Sequence, residues 1–331
     1  MNKPPSVWVF NDGRTGTFNQ ALSVAVSLEV PFKIKEIKYN VFAKLPNFLR
    51  GISRLGIDKS CIFDINKDIY ENDFPDIIIN AGRRAAPFAL YIQKMSGNST
   101  KVVQIMNPGK FNLDKFSLLV IPYHDNFNFK GKNVLRILGA PHLVSQEKLR
   151  EAAATWQDKF ADLPRPYTAL IVGGSTKNRT FTKEMAEELS LMVDKLMGES
   201  EKGSLLLTTS RRTGEENAEI IDSRFDCPKY VYKWGDKGEN PYFGFLALAD
   251  RIVVTGDSVS MCSEVCSTPV PVYIYDNKDL ITEKHRRFLD SLYEKGYAEP
   301  LLYEKANDEA PHPVLDSSAE IAEVIKENVL K

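Results

Sequence analysis

Ile252-Val253-Val254-Thr255-Gly256-Asp257-Ser258-Val259-Ser260-Met261-Cys262-Ser263-Glu264 reads as a strand, a small polar turn and the opening of a helix. Ile252 to Thr255 are β-branched without interruption, which suits a buried strand. Backbone N–H groups at the helix start, beside the Ser258 and Ser260 hydroxyls, make a seat for an anion such as a diphosphate. Glu264 follows in the helix, where its carboxylate can accept hydrogen bonds from vicinal hydroxyls of a ribose. The combination suits a nucleotide-sugar.

The same alternation extends outward over the whole chain. Short apolar runs alternate with helix-length segments, the pattern of a parallel sheet covered on both faces. Strands are predicted near 6–10, 32–37, 76–80, 101–106, 117–122 and 134–138, with helices at 19–29 and 85–96 among the intervening segments. A second series begins at 167–173 and continues at 204–209, 229–232, 251–255 and 270–275, with helices near 181–198, 214–222, 241–249 and 258–267. Between the series lie a charged helix (about 145–161) and the breaker Leu163-Pro164-Arg165-Pro166. The expected domains are therefore 1–145, a linker helix and hinge at 146–166, 167–316, and a docking helix at 317–331 carrying Ile321, Val324, Ile325 and Val329 at helical spacing. Each half opens with strand, glycine turn and helix: Val7–Gly16, then Ala169–Thr176. Neither turn is GxGxxG or GxxxxGK[ST], which weakens dehydrogenase and P-loop readings.

A chain of 331 residues suits two domains with separate cores. Its 43 basic and 44 acidic residues give a net charge of −1 and no global field for nucleic acid. Met1 to Pro5 runs straight into Val7-Trp8-Val9-Phe10, far too short for a signal peptide, and no apolar stretch approaches a membrane span. Cys61, Cys227, Cys262 and Cys266 show no CxxC spacing; Cys262 and Cys266 read as reduced core residues rather than a metal pair, and a reducing cytoplasm is the expected location.

Asp12-Gly13-Arg14-Thr15-Gly16 with Asn19-Gln20, Gly82-Arg83-Arg84, Gln104 to Pro108, Pro122 to Asp125, Val172-Gly173-Gly174, Thr209 to Thr213, Asn240-Pro241-Tyr242 and Val254 to Glu264 occur in order. Together they resemble the bacterial and plant family named for mitochondrial fission, the ELM-type proteins, over nearly the whole chain. Thr15 stands where the family's first turn usually has proline, and Ser267 where a glycine precedes the Pro-Val stretch. The resemblance implies a GT-B-like α/β architecture similar to MurG-type enzymes: two Rossmann-like, doubly wound parallel-sheet domains facing across a cleft. It also implies a metal-independent glycosyltransferase moving sugar from a nucleoside-diphosphate donor to an envelope glycan or lipid acceptor, with no cofactor.

In that arrangement the second domain holds the donor. Glu264 resembles the ribose-binding glutamate; the plain alternative is a solvated helix residue. Ser258 and Ser260 would hold phosphate oxygens, and Gly173, Gly174 and Ser175 would approach the same phosphates with backbone N–H groups. Arg211 or Arg212, leaving the strand Leu205–Thr209, would neutralise the departing diphosphate. The base would lie near Tyr232 to Trp234. The first domain would bind the acceptor through Gly13, Arg14, Gly16, Arg83 and Arg84. Asp12, and His124 with Asp125, are the general-base candidates, although Asp12 equally suits a turn that bonds its own backbone. No carboxylate pair suited to a metal-bridged diphosphate is evident, and Asp64 to Asp76 read as solvated loop charge.

From Lys38 to Ile57 no residue is acidic, while Lys44, Arg50 and Arg54 alternate with Val41, Phe42, Leu45, Phe48, Leu49, Ile52 and Leu55. This segment reads either as peripheral contact with an anionic membrane at the inner face or as a core helix with snorkelling basic ends. Two other functions compete with glycosyl transfer: a sugar-nucleotide epimerase or hydrolase on the same fold, and a non-catalytic nucleotide-sugar-binding or scaffold protein.

Overall fold

The computed structural model describes residues 4–70, 74–198, 203–303 and 313–330. The chain divides into two compact units, one of Met1–Leu143 with Asp316–Lys331 and one of Val144–Leu315.

The first unit runs β1 (Val7–Asn11), α1 (Thr15–Ser27), β2 (Phe32–Glu36), α2 (Asn47–Arg50), α3 (Lys59–Tyr70), β3 (Ile77–Ala81), α4 (Ala86–Met95), β4 (Lys101–Ile105), β5 (Leu118–Pro122) and β6 (Val134–Ile137). Its strands pair in parallel in the order β2-β1-β3-β4-β5-β6. Strand alternation sends Val7, Val9, Ile77 and Ile79 to one buried face and Trp8, Phe10 and Ile78 to the other.

The second unit runs α5 (Gln146–Trp156), β7 (Tyr167–Val172), α6 (Lys183–Met197), β8 (Ser204–Thr209), α7 (Glu215–Arg224), β9 (Lys229–Tyr232), α8 (Tyr242–Leu248), β10 (Arg251–Thr255), α9 (Val259–Val265), β11 (Val272–Tyr275), α10 (Glu283–Glu294) and β12 (Glu299–Pro300). Its parallel order is β12-β11-β10-β7-β8-β9. The last helix, α11 (Ser317–Asn328), returns to the first unit, where Ile321, Ala322, Ile325 and Val329 join the core beside α1.

Both sheets reverse their winding direction once, between β1 and β3 and between β7 and β10. Such switch points open a crevice at the carboxyl ends of the strands, where doubly wound folds bind ligands. The sequence motifs Asp12–Gly16 and Gly82–Arg84 flank the first, and Gly173–Ser175 and Gly256–Ser258 flank the second.

Several expectations need correction. The helix expected over 145–161 ends at Trp156 and passes through a 3-10 turn at Asp158–Phe160. It packs on α8, with Trp156 stacked on Phe160, so 146–166 belongs to the second unit rather than forming a separate linker. Asp64 and Asp68 lie in α3, and Asp68 pairs with Lys35; residues 71–73 of that acidic stretch, like residue 331 of the tail, lie outside the described residues. The 38–57 segment forms no core helix. Val41, Phe42, Phe48 and Leu49 are 74, 49, 66 and 59% exposed, whereas Asn47 and Arg50 are 4 and 3% exposed. The inversion has a physical cause: the Asn47 amide donates to the carbonyls of Arg83 (2.9 Å) and Pro108 (2.7 Å), and the Arg50 guanidinium to those of Leu55 (2.9 Å) and Arg84 (2.7 Å). These hydrogen bonds fasten the segment to the strand ends, while Ile57, with Ile52 packed beside it, joins the core from its end.

Candidate functional site

In the second unit, the β7 and β10 exits are tied together by one carboxylate. Asp257, buried at the end of β10, accepts from the Gly174 N–H (3.0 Å) and from the Arg212 guanidinium. A Cβ on Gly173 would overlap that carboxylate, and one on Gly174, where φ is +136°, would strike the Arg212 backbone. These glycines admit the close approach of neighbouring turns. The Gly173 N–H donates to Thr255 Oγ1 (2.7 Å) and the Ser175 N–H to the Arg212 carbonyl (2.9 Å). The N–H groups of Gly173, Gly174 and Ser175, expected to meet phosphate, are therefore spent inside the protein. The Ser175 hydroxyl accepts from Phe181 (3.0 Å), so this turn is scaffold in its present geometry.

The two arginines after β8 separate in the same way. Arg212 is locked to Asp257 and the Gly174 carbonyl (3.3 Å), whereas the exposed Arg211 guanidinium has no partner among the described residues. Ser258 caps α9, its hydroxyl accepting from the Met261 N–H (3.4 Å); Ser260 sits in the first turn, half-buried. On the same helix, Glu264 accepts at Oε2 from the Tyr242 hydroxyl (2.6 Å), while Oε1 has no hydrogen-bond partner within the described residues. Burial pushes the Glu264 carboxyl above the usual carboxylate range, and the Tyr242 bond offsets this in part. Tyr242 is itself raised, first by burial and then by Glu264. The Tyr232 hydroxyl turns to the Asp236 carbonyl (3.2 Å), and the Trp234 indole is exposed, with its N–H backbone donating to Thr209 Oγ1 (3.0 Å).

Two residues of this region escaped the motif reading. Tyr242 was visible only as part of Asn240-Pro241-Tyr242, with no signal that its hydroxyl would meet Glu264. His285, in the first turn of α10, feels both Asp257 and Arg212; burial depresses its pKa, against the opposing pull of Asp257. Cys262 and Cys266 are buried free thiols whose pKa values burial raises, so they are poor nucleophiles and ligands.

In the first unit, Asp12 leaves β1 and is enclosed by its own turn. Its carboxylate accepts from the Arg14 backbone N–H (3.2 Å) and Nε (2.7 Å) and pairs with Arg14 Nη2. Gly13 takes φ +74°, closing the turn, and Gly16 falls in the first turn of α1. Gly82 adopts φ +80°, and a Cβ there would lie 3.2 Å from Arg14 Nη2, which places the Arg14 guanidinium against the β3 exit. Arg83 donates to the Leu45 carbonyl (3.1 Å), and the Arg84 guanidinium lies 5.7 Å over the Tyr39 ring. After β5, His124 is buried, with Nε2 3.9 Å from Asp125 Oδ1. That turn is pinned by Arg136, a residue not foreseen, which donates to the carbonyls of Pro122 (3.1 Å), Tyr123 (2.9 Å) and Asp125 (3.2 Å). Asp12 and Arg14 thus sit with Arg84 at the β1/β3 switch, while His124 and Asp125 lie two strands away at the β5 exit. Among the described residues no group of His, Cys, Asp and Glu is arranged to hold a metal.

An uncharacterized protein of Rickettsia prowazekii (strain Madrid E) is 29% identical, over 97% of this chain and 98% of its own. The mitochondrial fission protein ELM1 of Arabidopsis thaliana is 31% identical, over 83% of this chain and 68% of its own. Among solved structures, the UDP-GlcNAc 2-epimerase of Neisseria meningitidis bound to UDP-GlcNAc superposes with a TM-score of 0.51 at 15% identity, covering 98% of this chain and 99% of that one. This likeness establishes the fold, the GT-B-like pair of Rossmann-like domains anticipated from sequence. Residues 15–329 match the description of the mitochondrial fission ELM1 family, and with the Arabidopsis relative this shows that the chain belongs to it.

Proposed function

We propose that the protein is a glycosyltransferase that takes sugar from a nucleoside-diphosphate donor to a glycan or lipid acceptor. The observation that carries this reading is the state of Glu264: Tyr242 holds one carboxylate oxygen and the other has no hydrogen-bond partner among the described residues, on the helix that leaves the β7/β10 switch point. A fixed acceptor with one open oxygen suits a ribose hydroxyl pair. Ser258 and Ser260 supply hydroxyls toward the diphosphate. Arg211, at the β8 exit and without a partner among the described residues, would neutralise the negative charge that builds on the departing diphosphate as the sugar–phosphate bond breaks. The epimerase of like fold that holds UDP-GlcNAc is consistent with a sugar-nucleotide ligand.

On this reading the acceptor hydroxyl attacks the anomeric carbon, the diphosphate leaves, and the hydroxyl proton passes to a base. Asp12 is occupied by Arg14 and serves to position it, which leaves Asp125, oriented beside His124, as the base candidate. A panel of nucleotide-sugars scored by thermal shift, then by release of free nucleotide, is expected to reveal a stabilising donor. Arg211→Ala should then lower kcat/KM by about 10²-fold, as for loss of one charge-stabilising donor. A donor shift that survives both Arg211→Ala and Glu264→Ala unchanged would refute the site; binding without turnover would favour the sensor alternative.

The acceptor side is proposed to work at the inner face of a membrane. Val41, Phe42, Phe48 and Leu49 are solvent-facing beside Lys44 and Arg54, in a stretch without acidic residues, and no helix among the described residues is long and apolar enough to cross a bilayer. Flotation with vesicles containing anionic lipid should carry the protein upward, and Phe48→Ser with Leu49→Ser should reduce the floated fraction several-fold. Flotation indifferent to anionic lipid would eliminate this contact.

A further inference from the structure

The β1/β3 switch point carries more positive charge than its surroundings balance. Arg14, Arg50, Arg83 and Arg84 all approach it, and among the described residues Asp12 is the carboxylate paired with them. Neighbouring Glu36 is engaged by the Asn11 amide (2.9 Å). Among the described residues the Arg84 guanidinium makes no hydrogen bond and stacks on Tyr39.

Backbone donors add to this charge. α4 begins at Ala86 after an N-cap, Ala85, with no side-chain cap. The N–H groups of Arg83, Arg84, Ala85 and Ala86 donate to no acceptor among the described residues. A helix start preceded by arginines is unfavourable for the macrodipole unless an anion joins it. Two enclosed donors behind the turn are also unmatched. Tyr39 Oη and Arg50 Nη2 are buried without hydrogen-bond partners among the described residues, although Arg50 is only 3% exposed and its Nη1 reaches the Arg84 carbonyl. Tyr39 lies in the electrostatic reach of Asp12, Arg14, Arg50 and Arg84, and the Arg84 guanidinium stacks over its ring. Every unmatched group named here is a donor or can act as one, and orphaned buried donors call for an acceptor-rich ligand.

We infer that this switch point is a phosphoryl-binding site, in which Arg14, Arg84 and the free N–H groups of Arg83 to Ala86 hold phosphate oxygens and the Tyr39 hydroxyl closes the site from behind. Arg50 positions the turn through the Arg84 carbonyl. Calling the ligand an acceptor rests on the proposed function, which then takes a phosphorylated acceptor; the oxyanion site itself does not need that reading.

Calorimetric titration of the full chain with inorganic pyrophosphate tests it. Measured in an Arg211→Gln background, which removes the donor-side diphosphate contact, the remaining pyrophosphate affinity is expected to fall at least tenfold on adding Arg84→Gln and several-fold on adding Tyr39→Phe. Because the Arg84 side chain makes no hydrogen bond among the described residues, the unfolding midpoint of Arg84→Gln should stay close to that of the unaltered chain. An Arg211→Gln protein whose titration is unchanged on adding Arg84→Gln overturns the inference, as does loss of all pyrophosphate binding in Arg211→Gln alone. A nucleotide-sugar panel without any shift, alongside Arg84-dependent pyrophosphate binding, would remove the donor reading and leave this site standing. Competition by glucose 1-phosphate or by phosphatidate vesicles distinguishes a soluble from a lipid carrier of the phosphoryl group.

Discussion

Asp257→Ala is expected to lower the unfolding midpoint of the second unit by roughly 10 °C and to abolish donor binding. The carboxylate is enclosed and holds Arg212 and the Gly174 N–H at once. Removing it leaves a partly buried guanidinium without its counter-charge and a buried amide unmatched, a loss of about 3 kcal/mol or more for a broken buried pair. In a unit of this size each kcal/mol moves the midpoint by about 2–4 °C. Asp257→Asn retains an acceptor for Gly174 but not the charge for Arg212, so its effect should be intermediate. The same change frees Arg212 and loosens the Gly173–Gly174 turn, which is why binding should fail along with stability. Differential scanning calorimetry of both variants checks the order; a midpoint for Asp257→Ala within about 2 °C of the unaltered protein would show that the turn is held by other means.

Much of the fold was legible because its strands are buried on both faces and written as unbroken β-branched or aliphatic runs. β3, Ile77–Ala81, and β10, Arg251–Thr255, fall within a residue of the reading. α10 was missed for a local reason. Its capping box pairs Thr282 with His285, where a glutamate or glutamine would normally announce the helix start. α1 begins four residues earlier than read, since Thr15 and Gly16 look like turn residues although they open the helix. The site was harder. Arg211 and Arg212 are indistinguishable in sequence, and only Asp257, far along the chain, decides which of them is free. The donors of Gly173 to Ser175 are likewise spent on partners far along the chain, Thr255, Asp257 and Arg212. In residues 41–55 the core-helix alternative fails, because side-chain bonds from Asn47 and Arg50 turn polar residues inward and leave Val41, Phe42, Phe48 and Leu49 exposed.

Glu264 gives the second large effect, and one with a distinctive pH signature. Loss of its charge-assisted bond in Glu264→Ala should weaken donor binding by about 1.5–3 kcal/mol, roughly 10- to 100-fold. Burial raises its pKa above the unfolded value, while Tyr242 pulls the other way without cancelling it. A raised folded-state pKa contributes stability that is present below the unfolded pKa and lost as pH rises through the folded one. Donor binding runs oppositely, because only the carboxylate accepts strongly from the ribose hydroxyls. As pH falls through the raised pKa, affinity should drop, with its acid limb above the ordinary carboxylate range, while this residue's contribution to the ligand-free stability grows. Glu264→Gln should flatten both trends, since the amide does not titrate. Tyr242→Phe should move the acid limb further upward by removing the bond that favours the ionised form. Titration calorimetry and thermal unfolding across the same pH series measure the two slopes side by side. Affinity and stability that fall together on acidification, or an acid limb unchanged in Glu264→Gln, would mean that some other group controls donor binding.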